Sequence, residues 1–192
     1  MSHAEIQKVL GRPSARFHAL VAGKAVRLIT RTAKALLLAG IALFHSLVVF
    51  NNLTDFHSNY EFVHHVLLMD STFPGNHGMW RSISSPALYL AFYWSIIVWE
   101  IVTTILLWWG LADLIRTLRQ PAAAFNAAKR IAIAALTVSS LMWLVAFHAI
   151  GGEWFLMWQS RTWNGQEESF RNFVEVGLVL LILIHPETEA QP

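Results

Sequence analysis

The residues of this chain that could do chemistry stand out by their setting. Glu100 lies near the middle of an apolar run, 86–110, and Glu175 lies about two turns into another, 169–184. A carboxyl at membrane depth is costly and marks a functional site by default. The alternative is a carboxyl hydrogen-bonded to a polar group of a neighbouring helix. Two histidines stand in comparable runs, His45 in 35–53 and His148 near the end of 131–150. These two runs should cross in the same direction, so both rings would reach similar depth. That admits bis-imidazole haem ligation, or a metal site completed by Glu175. Neither histidine has a defining spacing motif, and interhelical hydrogen bonding is the plainer role for each.

Two polar segments between the runs carry more candidates. Asn52 follows His45 by seven residues, two helical turns along one face. It leads into Asp55, Glu61, His64, His65, Asp70 and Arg81. Glu61 and His64 form an E-x-x-H spacing, which puts both side chains on one helical face; dinuclear carboxylate sites use two such copies with further acids. Only one copy is present here. Asp55, Glu61 and Asp70 with His64 or His65 could instead hold a divalent cation or make loop hydrogen bonds. The second segment contains Glu153, Trp154, Trp158, Gln159, Trp163, Asn164 and Gln166. Trp interleaved with amides and acids suits contact with a quinone, a lipid head group or a partner surface, and equally an interfacial anchor.

These residues need elements to hold them. Of the 192 residues 55% are hydrophobic and only 14% charged, where a soluble domain averages about 25% charged. A small soluble globule cannot hide so much apolar surface, and a bilayer can. The runs 35–53, 86–110, 131–150 and 169–184 are each long enough, or nearly so, to cross about 30 Å of hydrocarbon at 1.5 Å per residue. The expected fold is therefore an all-α membrane protein, a four-transmembrane-helix bundle occupying 35–185. A basic arm (1–34) precedes it, either an interfacial amphipathic helix or an irregular tail, and a short tail (186–192) follows it. Ser58 and Glu61 match a capping box, predicting a short amphipathic helix in the first outer loop. Ser85-Pro86 should start the second span, and Gly151-Gly152 should end the third.

Eleven Lys/Arg fall in the arm and the 111–130 connection, against three (Arg81, Arg161, Arg171) on the opposite side. The positive-inside rule then puts both termini in the cytoplasm and the two polar segments outside. No Cys is present, so neither a disulfide nor a thiolate contributes. Hydrolase, Walker and Rossmann patterns are absent, and the basic residues flank apolar runs as topology signals do, which argues against nucleic-acid binding.

Several motifs occur together and in order: Asn51 to Asp55, Phe62 to Asp70, Thr72-Phe73-Pro74, Trp80-Arg81, Gly151 to Ser160, and Trp163 to Gln166. On these residues the chain resembles the bacterial "predicted small integral membrane protein" family, domain-of-unknown-function family 2165, over about 35–185. The resemblance implies a four-span protein of the bacterial inner membrane and supplies no activity, cofactor or catalytic residue. The leading expectation is a non-enzymatic accessory or assembly subunit, presenting a Trp-rich periplasmic face to lipid, a membrane-protein partner or a second copy of itself. The alternatives are a redox protein holding haem, metal or quinone near the outer leaflet, and a small proton-coupled carrier using Glu100. The candidate site comprises His45, Asn52, Asp55, His65, Asp70, Glu100, His148, Glu153, Trp154, Gln159, Trp163 and Glu175. His45, His148, Glu61 and His64 are the candidate metal ligands.

Overall fold

A computed structural model describes residues 15–188, with side chains from residue 22 onward. It is helical, and no strand occurs among the described residues. The long elements are α1 (Ala15–Thr54), α2 (Phe56–Leu68), α3 (Pro86–Thr117), α4 (Ala122–Leu141) and α5 (Gln166–Ile184). From Met142 to Trp154 the chain of α4 continues without a break as a π-helix. Single 3₁₀ turns at Met79–Arg81 and Met157–Gln159 sit in the two connecting segments.

Among the described residues three stretches are long and apolar enough to cross a membrane: Ala22–Thr54, Pro86–Thr117 and Ala122–Trp154. Only 28–33% of their most apolar windows is buried inside the protein. Leu36, Leu43, Leu47 and Phe50 of α1 and Val98, Val102, Ile105 and Trp109 of α3 are exposed. An apolar surface of this extent has no counterpart on a monomer in water and is satisfied by lipid. The fourth long helix, α5, is different. It carries Glu167, Glu168, Arg171 and Glu175 within 19 residues, so its apolar stretch is short.

The long helices form a ring. Helix α3 packs on α1 and α4, and α5 packs on α4 and α1. Helices α3 and α4 approach closely where Gly110 lies against Ala132; a Cβ at 110 would fall 2.6 Å from the Ala132 nitrogen. Small residues at a crossing let two backbones come together where lipid offers no hydrophobic drive for helix pairing. Ala35, Leu38, Leu107, Leu111, Leu114, Leu136 and Leu183 fill the ring. A second core lies under α2 and joins Val63, Val66, Leu67 and Met69 to Tyr89, Tyr93, Ile97, Phe155 and Met157.

α1 is one 40-residue helix, about 60 Å long at 1.5 Å per residue, and includes the basic arm from residue 15 on. No proline interrupts it. The part of the arm before residue 15 lies outside the described residues. Helix α2 begins at Phe56 with Asp55 at its N-cap, not at Ser58. The Ser58 hydroxyl donates to Asp55 Oδ1 at 2.9 Å, so a turn between the two side chains replaces the capping box. Gly151-Gly152 does not end the third stretch; both are buried within the π-helix, which closes at Phe155. Ser85 and Pro86 do occupy the N-cap and first position of α3, though the Ser85 side chain makes no capping bond.

Candidate functional site

Glu100 lies on the buried face of α3, 2% exposed. From α1, Asn52 Nδ2 donates to Glu100 Oε2 at 2.5 Å. Tyr93, two turns before Glu100 on the same face, directs its hydroxyl at the Asn52 carbonyl (3.1 Å) and at Asn52 Oδ1 (3.3 Å). The result is a relay Tyr93–Asn52–Glu100 that ties α3 to the end of α1. No ion pair reaches Glu100 among the described residues. Glu100, Asn52 and Tyr93 line a cavity of about 300 Å³, whose remaining polar wall includes Asn59, Asn164, Ser169 and Asn172. Trp143 also lines it, 6% exposed, and its indole N–H has no hydrogen-bond partner among the described residues. A buried donor without an acceptor costs roughly 1–3 kcal/mol, so this group is conspicuous.

The polar chamber has an apolar neighbour. A second cavity, of about 190 Å³, shares Phe62, Val63, Ile96 and Phe147 with the first. It continues between Val66, Leu67, Trp99, Ile150, Phe155 and Met157. Together they put hydrogen-bonding groups on one side of a wall and hydrocarbon on the other. Helix α2 lies over both. Gly165, at the N-cap of α5, lets the loop approach Phe62 of that helix; a Cβ there would meet the Phe62 ring at 2.9 Å.

The outward face of α2 gathers the titratable residues. Glu61, His64 and His65 offer ligand atoms all within 4.8 Å of one another. Met69 ends the helix in the left-handed conformation (φ 59°). That turn sets Asp70 back against His65, with Oδ2 at 2.7 Å from Nδ1. Trp163 stacks flat on His65 at 4.6 Å, and Tyr89 lies 4.6 Å from the His64 ring. The two polar segments meet here. Ser71 donates to Ser160 at 2.8 Å, and the Phe73 N–H donates to Gln159 Oε1 at 3.0 Å. Arg81 spans them, donating to the Trp154 carbonyl at 3.2 Å while its guanidinium sits over the Trp80 and Trp154 rings. Glu153 and Trp154 themselves are exposed at the end of the π-helix.

The remaining candidates are not brought to this place. His45 is buried with both nitrogens engaged, Nδ1 to the Ile41 carbonyl (3.1 Å) and Nε2 to Ser139 Oγ (2.8 Å). It joins α1 to α4 across the ring, and a metal would have to displace one of those bonds. His148 is half-buried in the π-helix, and its Nδ1 has no partner among the described residues. Glu175 is exposed on α5. The buried stripe of that helix is Ser169, Val176, Val179 and Leu183, and Glu175 lies off it. Nothing among the described residues joins Glu175, His45 and His148 into one ligand set.

Sequence reasoning missed a cluster at the opposite end. Arg31, 1% exposed, donates from Nη1 to the carbonyls of Leu118 (3.0 Å) and Gln120 (2.7 Å). Lys34 and Lys129 both donate to the His185 carbonyl beyond α5, at 3.1 and 2.8 Å. Glu187 pairs with Lys34 at 2.6 Å, and Asn126 holds the Glu187 backbone. Cations against carbonyls at helix C-termini complement the helix dipole. These side chains clamp the helix ends, beyond any role as topology signals.

A ring of apolar helices whose polar groups meet at a narrow chamber defines an integral membrane protein with several candidate spans, seated in a lipid bilayer. The comparison with known families sharpens this. The model of the family described as "Predicted small integral membrane protein", domain-of-unknown-function family 2165, matches residues 30–186. The chain belongs to that family. No curated protein and no solved structure matches it.

Proposed function

We propose that this is a four-span protein of the bacterial inner membrane, with both termini cytoplasmic. In this reading it works without catalysis, as an accessory or assembly subunit that holds an amphiphile at its outer mouth. The fourth span is α5: the spanning part, 169–184, is short and still carries Arg171 and Glu175, which lie toward the outer surface with the charged first turn. Residues 35–185 then form one transmembrane domain, and the Lys/Arg asymmetry gives its orientation.

The observation that carries the ligand reading is the chamber itself, about 300 Å³, where Asn59, Asn164 and Asn172 converge in a largely apolar frame. A head group bearing a carbonyl, ester or phosphate oxygen would accept from these amides. The adjoining apolar cavity would take the first part of a chain. Sites of about 300 Å³ and more, with a few converging polar groups in an apolar frame, are usual for small ligands. Lipids and quinones share this chemistry. Native mass spectrometry on protein purified in mild detergent, with extraction and identification of what it carries, tests the reading. One amphiphile per chain is expected, lost in the chamber-filling Asn172→Phe while helix content stays. A wild-type preparation that carries no amphiphile beyond the annular lipid, and takes up none on reconstitution, would refute it.

A further inference from the structure

We propose that Glu61, His64 and His65 on the outward face of α2 form a binding site for a divalent transition metal of the zinc class, with Asp70 as the carboxylate that orients His65. This does not depend on the amphiphile reading, since it stands on other side chains facing away from the chamber.

The distances suit a shared metal ion, although His64 Nδ1 is also within hydrogen-bond reach of Glu61. Glu61 Oε2 lies 3.2 Å from His64 Nδ1 and 3.5 Å from His65 Nε2. Zinc bonds to nitrogen and carboxylate oxygen measure about 2.0–2.2 Å, and the edge of a tetrahedron with such bonds is about 3.3–3.6 Å. The two observed separations nearly span that edge. Chemistry points the same way. His65 Nδ1 lies 2.7 Å from Asp70 Oδ2, close enough that this nitrogen must hold the proton it donates. In the neutral ring Nε2 then carries a lone pair, and that lone pair faces the carboxylate oxygen of Glu61. Two acceptors facing each other are reconciled by a cation between them, a second proton on the ring or a metal ion. His64 adds a third donor atom toward the same oxygen.

The frame suits a metal as well. Carboxylate–histidine–metal triads fix the ring and raise its basicity, and Asp70 stands where that partner belongs. Trp163, stacked on His65 within 9° of parallel, and Tyr89, packed on His64, limit ring rotation before any ligand arrives. Side-chain exposures of 27% and 30% leave an entry path. His57, with Nε2 3.7 Å from Glu61 Oε1 and 84% exposed, can supply a fourth ligand or leave the position to water. Bound there, a metal would brace α2 where it covers the two cavities.

The test uses the full chain in detergent, purified through a tag free of histidine. Zinc content by elemental analysis and isothermal titration should give one equivalent. Co²⁺ loading should give the intense visible bands of a four-coordinate site. Glu61→Gln and His65→Gln should each weaken zinc binding at least 100-fold, and Asp70→Asn about 10–100-fold. Glu175→Gln, remote and exposed, should change nothing. Glu61, His65 and Glu175 lie on formed helices and Asp70 in the turn after α2, all partly or fully exposed, so circular dichroism should confirm unchanged folding. Absence of stoichiometric zinc or cobalt binding, or equal binding by His65→Gln and the parent, would overturn the site. Metal loss with amphiphile retained, or the reverse, keeps the two readings separable.

Discussion

Arg31→Met is the sharpest test of how this protein is held together. The side chain is 1% exposed and touches three elements at once. Its Nη1 reaches the carbonyls of Leu118 and Gln120, its Nε lies 3.7 Å from Glu187 Oε2, and its guanidinium carbon lies 4.6 Å over the Phe125 ring. A hydrogen bond to a charged group is worth about 1.5–3 kcal/mol, and a desolvated cation–π contact about 2 kcal/mol. These terms do not add, because the bonds share one side chain. Methionine also keeps much of the apolar stem's packing. Breaking a buried charged contact by removing one partner costs about 3–5 kcal/mol, and that is the expected loss here. Arg31→Lys keeps the charge but not the planar fork, so it should recover part of the loss and not all of it. Reversible unfolding in mixed micelles, followed by tryptophan fluorescence and helix content, measures the change. Arg116→Met is the control: that side chain is 72% exposed and among the described residues pairs with Asp113 alone, so little change is expected. Topology should be checked in parallel by accessibility labelling, since Arg31 is one of several basic residues on its side. A loss below about 1 kcal/mol for Arg31→Met, scaled against the measured costs of such contacts, would refute the view that the cluster clamps the helix ends.

Other perturbations follow from the same geometry. Gly110→Leu should separate α3 from α4 and cost at least the 1–3 kcal/mol usual for overpacking, visible as lost folded yield and a lowered unfolding midpoint. Ser139→Ala should leave His45 Nε2 without its partner and cost about 1–3 kcal/mol in the same unfolding assay; a neutral outcome would mean the ring finds another donor. Asn52→Leu strands the Glu100 carboxyl, so it should destabilise more than the double change Asn52→Leu/Glu100→Met, and a double-mutant cycle reads the difference. Gln159→Ala removes the acceptor for the Phe73 N–H between the two outer segments, and should raise protease sensitivity near residue 74 without altering the helices.

The apolar runs made the long helices legible, because helix length and the cost of unpaired backbone in lipid leave few choices. Choosing among the polar residues in those runs required knowing which face each helix buries. Asn52 shares a helical face with His45 by spacing, yet its partner is Glu100 from another helix, and no local spacing encodes that pairing. Tyr93 was readable in principle, since it precedes Glu100 by two turns on one side of α3. The exposure of Glu175 was readable too, because the stripe Ser169–Val176–Val179–Leu183 runs past it. Arg31, Lys34 and Lys129 look like ordinary flanking charges, and their burial depends on carbonyls contributed by residues 118, 120 and 185. Trp143 reads as one more apolar residue in its run. Only the packed structure reveals its indole nitrogen as unpaired.

The wide winding of Met142–Trp154 has a consequence for how this stretch tolerates change in length. A π-helix takes up an extra residue by bonding each carbonyl one position further along than an α-helix does. Deleting one residue there would let the chain fall back to ordinary α winding, with its hydrogen bonds restored. The toll would fall on azimuth, since each residue of an α-helix turns the chain by about 100°. Everything beyond the deletion, including the Trp154 carbonyl that Arg81 grips, would swing around the helix axis. Such a shortened chain would stay helical and inserted while its two outer segments lost their alignment, separating the secondary structure of this region from the placement it serves.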